Sequence, residues 1–387
     1  MKHFDYFQPT ELKFGSGRFS EMGDLASRYG RRALLVTTDT GSPALAKRFE
    51  RARKILTDAG MEVSHYNGVV ENPTVESVSK GARQAIDFGA DVVIGIGGGS
   101  SMDSAKAISV EATHEGTCWD YLYYKEQPQK EKLLSIITIP TTSGTGSQTS
   151  KVAVVTNSRE RNKSALVNPN LFPTVAIIDP KLVVTTPAFV TATTGFDVFC
   201  HAFESSIHPD AGAYLDLLAW SALEMVVKYL PTAIEEPNNM EAREKMAWAD
   251  TMAGMCIANA GVTLPHGMAM AIGGMYPQVA HAQALAIVYP AFADFTREWA
   301  AESFARLARL LNPNLQKASD KEAGSQSKQE VEQFLQKIGL YKRLRDIDMP
   351  EEEIKALADQ SMVLPDYKGN PRVASREEMM ELVKASY

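Results

Sequence analysis

The sequence predicts an α/β domain followed by an all-helical domain. Three observations carry this reading. In the first half, short apolar, β-prone runs alternate with helix-forming stretches, the pattern of a parallel sheet covered on both faces. From about Pro187 onward long helical stretches dominate. Within the first half, a glycine run follows one apolar strand and opens a helix, which is where open α/β sheets bind ligands. At 387 residues the chain is long enough for two domains. The boundary is expected near 180–190, giving units of 1–185 and 186–387.

The elements follow in order. Ala33 to Thr38 is a β-prone run ending at polar Asp39, and residues 43–59 are helical up to Gly60. Glu62 to Tyr66 is the next strand, and Val75 to Gly89 the next helix. Asp91 to Ile96 is an apolar strand that runs into Gly97-Gly98-Gly99, and Ser100 to Val110 has helix-forming content. Leu134 to Ile139 is a further strand, stopped by Pro140, with strand candidates at Val152–Thr156 and Val175–Ile178. Helices are then expected over 190–208, 213–230, 241–261, 283–311, 327–343 and 350–361. Asn312 to Ser327 is polar, lacks apolar periodicity and reads as a surface loop. There is no internal repeat.

Composition narrows the function classes. Hydrophobic content of 44% and charged content of 22% are those of an ordinary globular protein. A net charge of -7 argues against a general nucleic-acid or anionic-membrane binder. No basic, aromatic-interleaved stretch suggests RNA or DNA. The first residues, MKHFDYFQPTELKFGSG, lack an apolar signal core. No uninterrupted apolar run has the length of a membrane span. Cys118, Cys200 and Cys256 are widely spaced and form neither a disulfide framework nor a CxxC knuckle. The expectation is a cytoplasmic protein with no nucleic-acid or membrane partner.

Two stretches carry chemistry. At Gly97-Gly98-Gly99 the backbone can approach phosphate oxygens, because glycine has no Cβ, and the following helix N-terminus adds N–H donors. Ser100 can cap that helix or donate to phosphate. A tight strand-to-helix turn would use the same glycines, and the loop does not match GxGxxG. Pro140-Thr141-Thr142-Ser143-Gly144-Thr145-Gly146-Ser147 follows the next apolar strand and is dense in hydroxyl donors. Two such turns at the ends of consecutive strands favour a ligand crevice over a polar surface loop.

The second stretch offers metal ligands. Asp197 and His201 are four residues apart on an expected helix, so they share a face. An isolated pair of this kind is more simply an Asp–His hydrogen bond. His266 and His281 lie in apolar, low-charge surroundings, where a lone histidine is usually a core residue. Together, one carboxylate and three imidazoles suit Fe(II) or Zn(II) better than magnesium or calcium. A dinucleotide combined with a Lewis-acid metal suggests hydride transfer.

On these residues the chain resembles the iron-containing (group III) alcohol dehydrogenases. The resemblance rests on GGGSSMDSAK at 97–106, PTTSGTGS at 140–147 and NPNLFPTVAIIDPKL at 168–182. It extends through TGFDVFCHAFE at 194–204, AGMCIANAGVTLPHG at 253–267, His281-Ala282-Gln283-Ala284 and Asn370-Pro371-Arg372. It implies an N-terminal Rossmann-like domain and an all-α C-terminal domain, the dehydroquinate synthase-like architecture. Asp197, His201, His266 and His281 fall on the family's metal-ligand positions. Gly97, Gly98, Gly99 and Ser100 match its pyrophosphate loop, and Thr141, Thr142 and Thr145 its second cofactor loop. Lys163 matches a lysine that approaches the nicotinamide ribose, and Asp103 helps fix the glycine loop. No catalytic side chain is assigned beyond the metal site.

The implied cofactors are NAD or NADP with Fe(II) or Zn(II), and the implied substrate is a small-molecule alcohol or aldehyde. Asp39 at the deciding position after the second strand would favour NAD, whereas Thr38 there, with Ser42 nearby, would permit NADP. The segment Glu11–Gly15 resembles a family strand that pairs across a dimer, which implies a homodimer. The chain departs from the pattern at Met270, where members often carry a histidine, and at Gln148 and Ala282. The interval to His281 is about one residue longer than usual. Met252, Met255, Met268, Met270, Met275 and Tyr276 are expected to line an apolar substrate pocket. A polyol dehydrogenase of the glycerol or propanediol type is the alternative enzyme, and a nucleotide-binding protein without turnover is the alternative class. A dehydroquinate-synthase-like lyase would need cations for an anionic substrate, and residues 251–290 contain no Lys or Arg.

Overall fold

The computed structural model describes residues 3–39, 41–128, 133–160 and 162–387. The chain divides into two compact units, Gln8–Thr186 and Pro187–Tyr387, the second joined by Met1–Phe7.

The first unit contains β1 (Glu11–Phe14), α1 (Met22–Ala26), β2 (Arg32–Thr38), α2 (Pro43–Asp58), β3 (Glu62–Val69) and α3 (Val75–Phe88). It continues with β4 (Val92–Gly97), α4 (Gly99–Glu111), β5 (Ser135–Pro140), β6 (Val152–Asn157), β7 (Asn162–Val167) and β8 (Val175–Ile178). Six strands form one sheet in the order β1-β8-β5-β4-β2-β3, with every pairing parallel. Alternate residues of one strand serve opposite faces. Leu34 and Val36 join Val78, Ala105 and Ile108 in one core, while Ala33 and Leu35 join Phe49, Ala52 and Leu56 in another. Burial on both faces explains why these strands read as continuous apolar runs. β6 and β7 form a separate antiparallel hairpin.

This strand order has a switch point between β2 and β4. From β2 the chain moves outward to β3, then returns to the other side of β2 and proceeds through β4 to β5. In doubly wound sheets ligands bind beyond the strand C-termini at such a point. Register sharpens the location. Val36 is paired with Gly95, two residues before Gly97, so β2 ends close to level with the start of the glycine loop. Gly97 is paired with Pro140, so the threonine-rich loop starts level with that loop on the other side.

The second unit is helical: α5 (Ala188–Ile207), α6 (Ala213–Glu235), α7 (Met240–Asn259), α8 (Leu264–Met275) and α9 (His281–Thr296). α10 (Ala301–Leu311), α11 (Asp320–Lys337), α12 (Ile354–Ser361) and α13 (Arg376–Ser386) complete it. The N-terminal residues belong here because Phe7 N–H donates to Asn259 Oδ1 at 2.8 Å and Tyr6 packs edge-on against Tyr214. α6 is long and apolar enough to cross a membrane by length and composition, although Asp216, Glu224 and Lys228 interrupt its apolar run. Its Leu215, Ala219, Trp220, Leu223, Val226 and Leu230 are buried in the helical core.

Several expectations need correction. The segment 312–327 is mostly helical: Ser319 and Glu322 form a capping box that starts α11. Its buried face is made of small residues, with Ala323 packed on Ala305 and Ala308 of α10, so no large apolar period shows in the sequence. The expected helix 283–311 is two helices, with the break at 297–300 where no glycine or proline signals it. Thr296, at the end of α9, accepts a bond from Asn370 Nδ2 at 3.0 Å, a tertiary contact that a local reading misses. α1, β7, α8 and α13 were absent from the expected elements. α8 reads poorly as a helix because Gly267, Gly273 and Gly274 carry low helix propensity. The expected strand at Glu11–Phe14 is present as β1, at the edge of the sheet and paired to β8.

Candidate active-site residues

In the sheet-bearing unit the two predicted loops meet. A Cβ on Gly99 would stand 2.7 Å from Thr145 Cγ2, and one on Gly98 would stand 3.3 Å from Thr142 Oγ1. Glycine at these positions is therefore what allows the loops to lie against each other. Thr141 N–H donates to Gly97 O at 2.8 Å, and Thr186 Oγ1 donates to Thr141 O at 3.0 Å. Gly98 is the N-cap of α4 and offers no side-chain cap; its carbonyl accepts from Ser101 N–H at 3.1 Å and Met102 N–H at 3.3 Å. Ser100 is half-buried on the first turn, and Asp39 is exposed.

Behind the loops lies a buried ionic network. Asp103 accepts from Ser147 Oγ at 2.6 Å and from Val154 N–H at 3.0 Å. Both carboxylate oxygens are thus engaged by protein. Lys106 is fully buried, and its Nζ donates to Ser147 O, Ser147 Oγ, Ser150 O and Val152 O at 2.7–2.9 Å. Burial pulls the Lys106 ammonium down to about 8 against the support of Asp103. Burial also pushes the Asp103 carboxyl up, opposed by Lys106 and its hydrogen bonds. The pair ties α4 to the threonine loop and to β6. Lys163, on β7, donates from Nζ to Asn72 Oδ1 at 2.8 Å. Asn72 holds a left-handed backbone with φ 52°, which few non-glycine residues adopt.

In the helical unit, α5 carries Asp197 and His201 on one face. Asp197 Oδ1 lies 3.5 Å from His201 Nε2 and 3.7 Å from His266 Nε2. All three residues are buried, and their ligand atoms lie within 4.8 Å of one another. His281, the first residue of α9, is half-buried with its ring centroid 5.3 Å from that of His266. Its ligand atoms fall outside the compact group of three.

Two atoms test whether a cation fits. Asp197 Oδ1 and His266 Nε2 are buried and have no hydrogen-bond partner. Their separation exceeds hydrogen-bond range. Atoms bound at about 2.1 Å to one cation stand roughly 3–3.5 Å apart, close to the spacings seen. A divalent ion among these donors would satisfy both atoms, so the residues fit the group.

Electrostatics agree. Burial opposes ionisation of Asp197, yet His201 and then His266 and His281 hold its carboxyl at about 2. Burial likewise opposes charging His266, but Glu204 and Asp197 raise it to about 10. Glu204 is a residue to which the sequence reading gave no role. It is fully buried on α5 and accepts from His266 Nδ1 at 2.8 Å. Thr263 donates to its other oxygen from N–H at 2.7 Å and from Oγ1 at 3.2 Å. Its place in the register could have revealed it: 197, 201 and 204 are spaced i, i+4, i+7. Asp366 was also missed. It lies beside Gly267, and burial pushes its carboxyl up to about 6 against the pull of His266.

The expected methionine pocket is reduced. Met252 and Met268 are in the hydrophobic core, and Met255 is buried. Tyr276 donates its hydroxyl to Glu353. Met270 and Met275 are half-buried.

Comparison with known proteins decides the family. The description "Iron-containing alcohol dehydrogenase" matches residues 9–180, and "Fe-containing alcohol dehydrogenase family, C-terminal" matches 191–387. The chain belongs to the iron-containing alcohol dehydrogenase family. It is 31% identical over 385 residues to 1,3-propanediol dehydrogenase of Klebsiella pneumoniae, covering 99% of both chains. It is 31% identical to NAD-dependent methanol dehydrogenase of Bacillus methanolicus, covering 98% of this chain and 99% of that one. The crystal structure of an archaeal halo-thermophilic alcohol dehydrogenase from a Red Sea brine pool superposes with a TM-score of 0.95 at 32% identity, covering 100% of each chain. As a member of this family the protein is an oxidoreductase of small-molecule alcohols or aldehydes, and its two-domain fold is the family's.

Proposed function

We propose that this chain interconverts a small primary or secondary alcohol and its aldehyde or ketone, using NAD and a bound Fe(II) or Zn(II). The observation that carries the metal half is the pair of orphaned buried atoms, Asp197 Oδ1 and His266 Nε2. When bound, the cation supplies Lewis acidity at the substrate oxygen, and the nicotinamide supplies or accepts the hydride.

The chain's own residues do the holding. Asp197, His201, His266 and His281 hold the cation in the helical unit, residues 186–387. In the unit of residues 1–185, the amides of Gly97, Gly98, Gly99 and Ser100 take the pyrophosphate, with Thr141, Thr142 and Thr145 beside it. Asp103 acts indirectly, since both its oxygens are committed to Ser147 and Val154. Lys163, oriented by Asn72, approaches the nicotinamide ribose. Asp39 accepts from the adenosine ribose 2′-OH and repels a 2′-phosphate. The register of β2 against β4 supports that placement, as does a relative described as NAD-dependent. Met270 carries no proton, so the histidine relay common in the family is absent.

A diol is the second reading, favoured by the 1,3-propanediol dehydrogenase relative. We further propose a cytoplasmic homodimer that uses the outer edge of β1, with no nucleic-acid or membrane partner. The test is oxidation of NADH and NADPH with short-chain aldehydes and hydroxyaldehydes. Chelator-stripped protein is assayed anaerobically, with and without added Fe(II) or Zn(II). Metal-restored turnover with NADH is expected. Cofactor binding without turnover under every metal would overturn the reading in favour of a non-catalytic nucleotide-binding protein.

A further inference from the structure

We infer that Glu204 is the positioning residue of the cation site: it fixes the tautomer and aim of His266 and balances the charge of the bound ion. This rests on the cation reading above and adds a residue to it. His266 stands between two carboxylates on the same helix. Its Nδ1 meets Glu204 Oε1 at 2.8 Å, and its Nε2 faces Asp197 Oδ1 at 3.7 Å. A carboxylate that only accepts forces the ring proton onto Nδ1, which leaves the Nε2 lone pair for a cation.

Glu204 is itself held in place. Thr263, the residue before α8, donates twice to Oε2, so Glu204 orients His266 and anchors the start of the helix that carries it. Among the described residues no Lys or Arg lies within ion-pair range of Glu204; its only ion-pair partner is His266. A buried carboxylate without a cation is costly. With neutral imidazoles, the buried Asp197 and Glu204 each bring a negative charge that a divalent ion offsets, and the half-buried Asp366 adds a further acidic group nearby. A carboxylate present merely to cap a helix would not need to be placed against the far nitrogen of a ligand histidine.

The experiment compares the whole protein and its Glu204→Gln variant, each stripped of metal. Zn(II) affinity is measured by competition with a chromophoric chelator, Co(II) loading by its visible spectrum, and thermal stability with and without Zn(II). Glu204→Gln is expected to bind Zn(II) roughly 10–100-fold more weakly. Its Co(II) bands should shift, and its Zn(II)-induced rise in melting temperature should be smaller. If Glu204→Gln fails to fold, Thr263→Val carries the test, since it removes only the hydroxyl bond to Oε2; a few-fold loss of Zn(II) affinity is expected there. Wild-type Zn(II) affinity and an unchanged Co(II) spectrum in a folded variant would overturn the inference, even with lower metal-free stability. If the wild-type protein binds neither Zn(II) nor Co(II), the cation reading itself fails first.

Discussion

Gly99→Ala tests whether contact between the two loops is what shapes the cofactor site. The new methyl group would stand 2.7 Å from Thr145 Cγ2 and 3.1 Å from both Thr145 Cβ and Oγ1. Carbon atoms prefer about 3.5–4.0 Å, so the overlap with Cγ2 approaches 1 Å and one loop must yield. Overpacking of this kind costs about 1–3 kcal/mol. Against it, alanine in a helix gains roughly 0.5–1 kcal/mol over glycine. The net loss of folding stability is therefore small, about 0–2.5 kcal/mol by difference. Binding suffers more, because a dinucleotide needs the loops together. Strain that the free protein avoids by parting the loops falls on binding instead, so the Kd for NADH, read by fluorescence titration, should rise by up to roughly 150-fold, the limit in which all of it falls there. Thr145→Ser deletes Cγ2, the atom in closest conflict. The double variant Gly99→Ala/Thr145→Ser should then recover most of the affinity, with a coupling of at least about 0.5 kcal/mol. The reasoning fails if Gly99→Ala binds NADH within twofold of wild type, or if Thr145→Ser gives no relief.

Asp39→Gly should move the NADPH/NADH preference toward NADPH by roughly tenfold or more, by removing a like charge from the 2′-phosphate position; an unchanged ratio of kcat/KM values would refute the NAD assignment. Lys106→Met strands three backbone carbonyls and Asp103, and should cost about 3–5 kcal/mol, read as a lower urea midpoint. A loss below about 1 kcal/mol would mean the network is slack. His266 is held at about 10 in the metal-free protein, above its ordinary 6.5. Its raised value stabilises the metal-free fold fully below pH 6.5, and that contribution is lost as pH rises through about 10. Cation binding must displace the same proton, so Zn(II) affinity should climb about tenfold per pH unit between pH 6.5 and 8.5. A flat affinity over that range would show that His266 is already neutral.

The parallel sheet was legible because burial on both faces writes each strand as an apolar run. Strands β2, β4, β5 and β8 announced themselves in this way. β7 did not. Its sequence, NKSALV, is half polar because the hairpin it forms with β6 lies apart from the six-stranded sheet. The first half of α11 hid for the opposite reason. Its buried positions up to 327 are Ala323, Gly324 and Ser327, too small to register as a hydrophobic stripe, although its Ser-x-x-Glu cap stood in the sequence; the second half, which buries Val331, Phe334 and Leu335, falls in the expected helix 327–343. Pattern reading detects volume, and it loses elements whose packing works through close approach.

The same distinction governs the candidate site. Asp197 and His201 were readable together because helix geometry alone joins residues four apart. Joining His266 to them required long-range packing, and composition plus resemblance supplied the link in its place. Glu204 lies in the same TGFDVFCHAFE run but gives no local signal, since a glutamate three residues past a histidine reads as an ordinary surface residue. Only burial reveals otherwise: a carboxylate with no exposed surface and, among the described residues, no Lys or Arg partner has to be answered by something nearby. Here the answer is a histidine whose other nitrogen is turned toward a second buried carboxylate. One helix thus delivers two carboxylates and an imidazole to the same point, and the charge it concentrates there is what a divalent cation relieves.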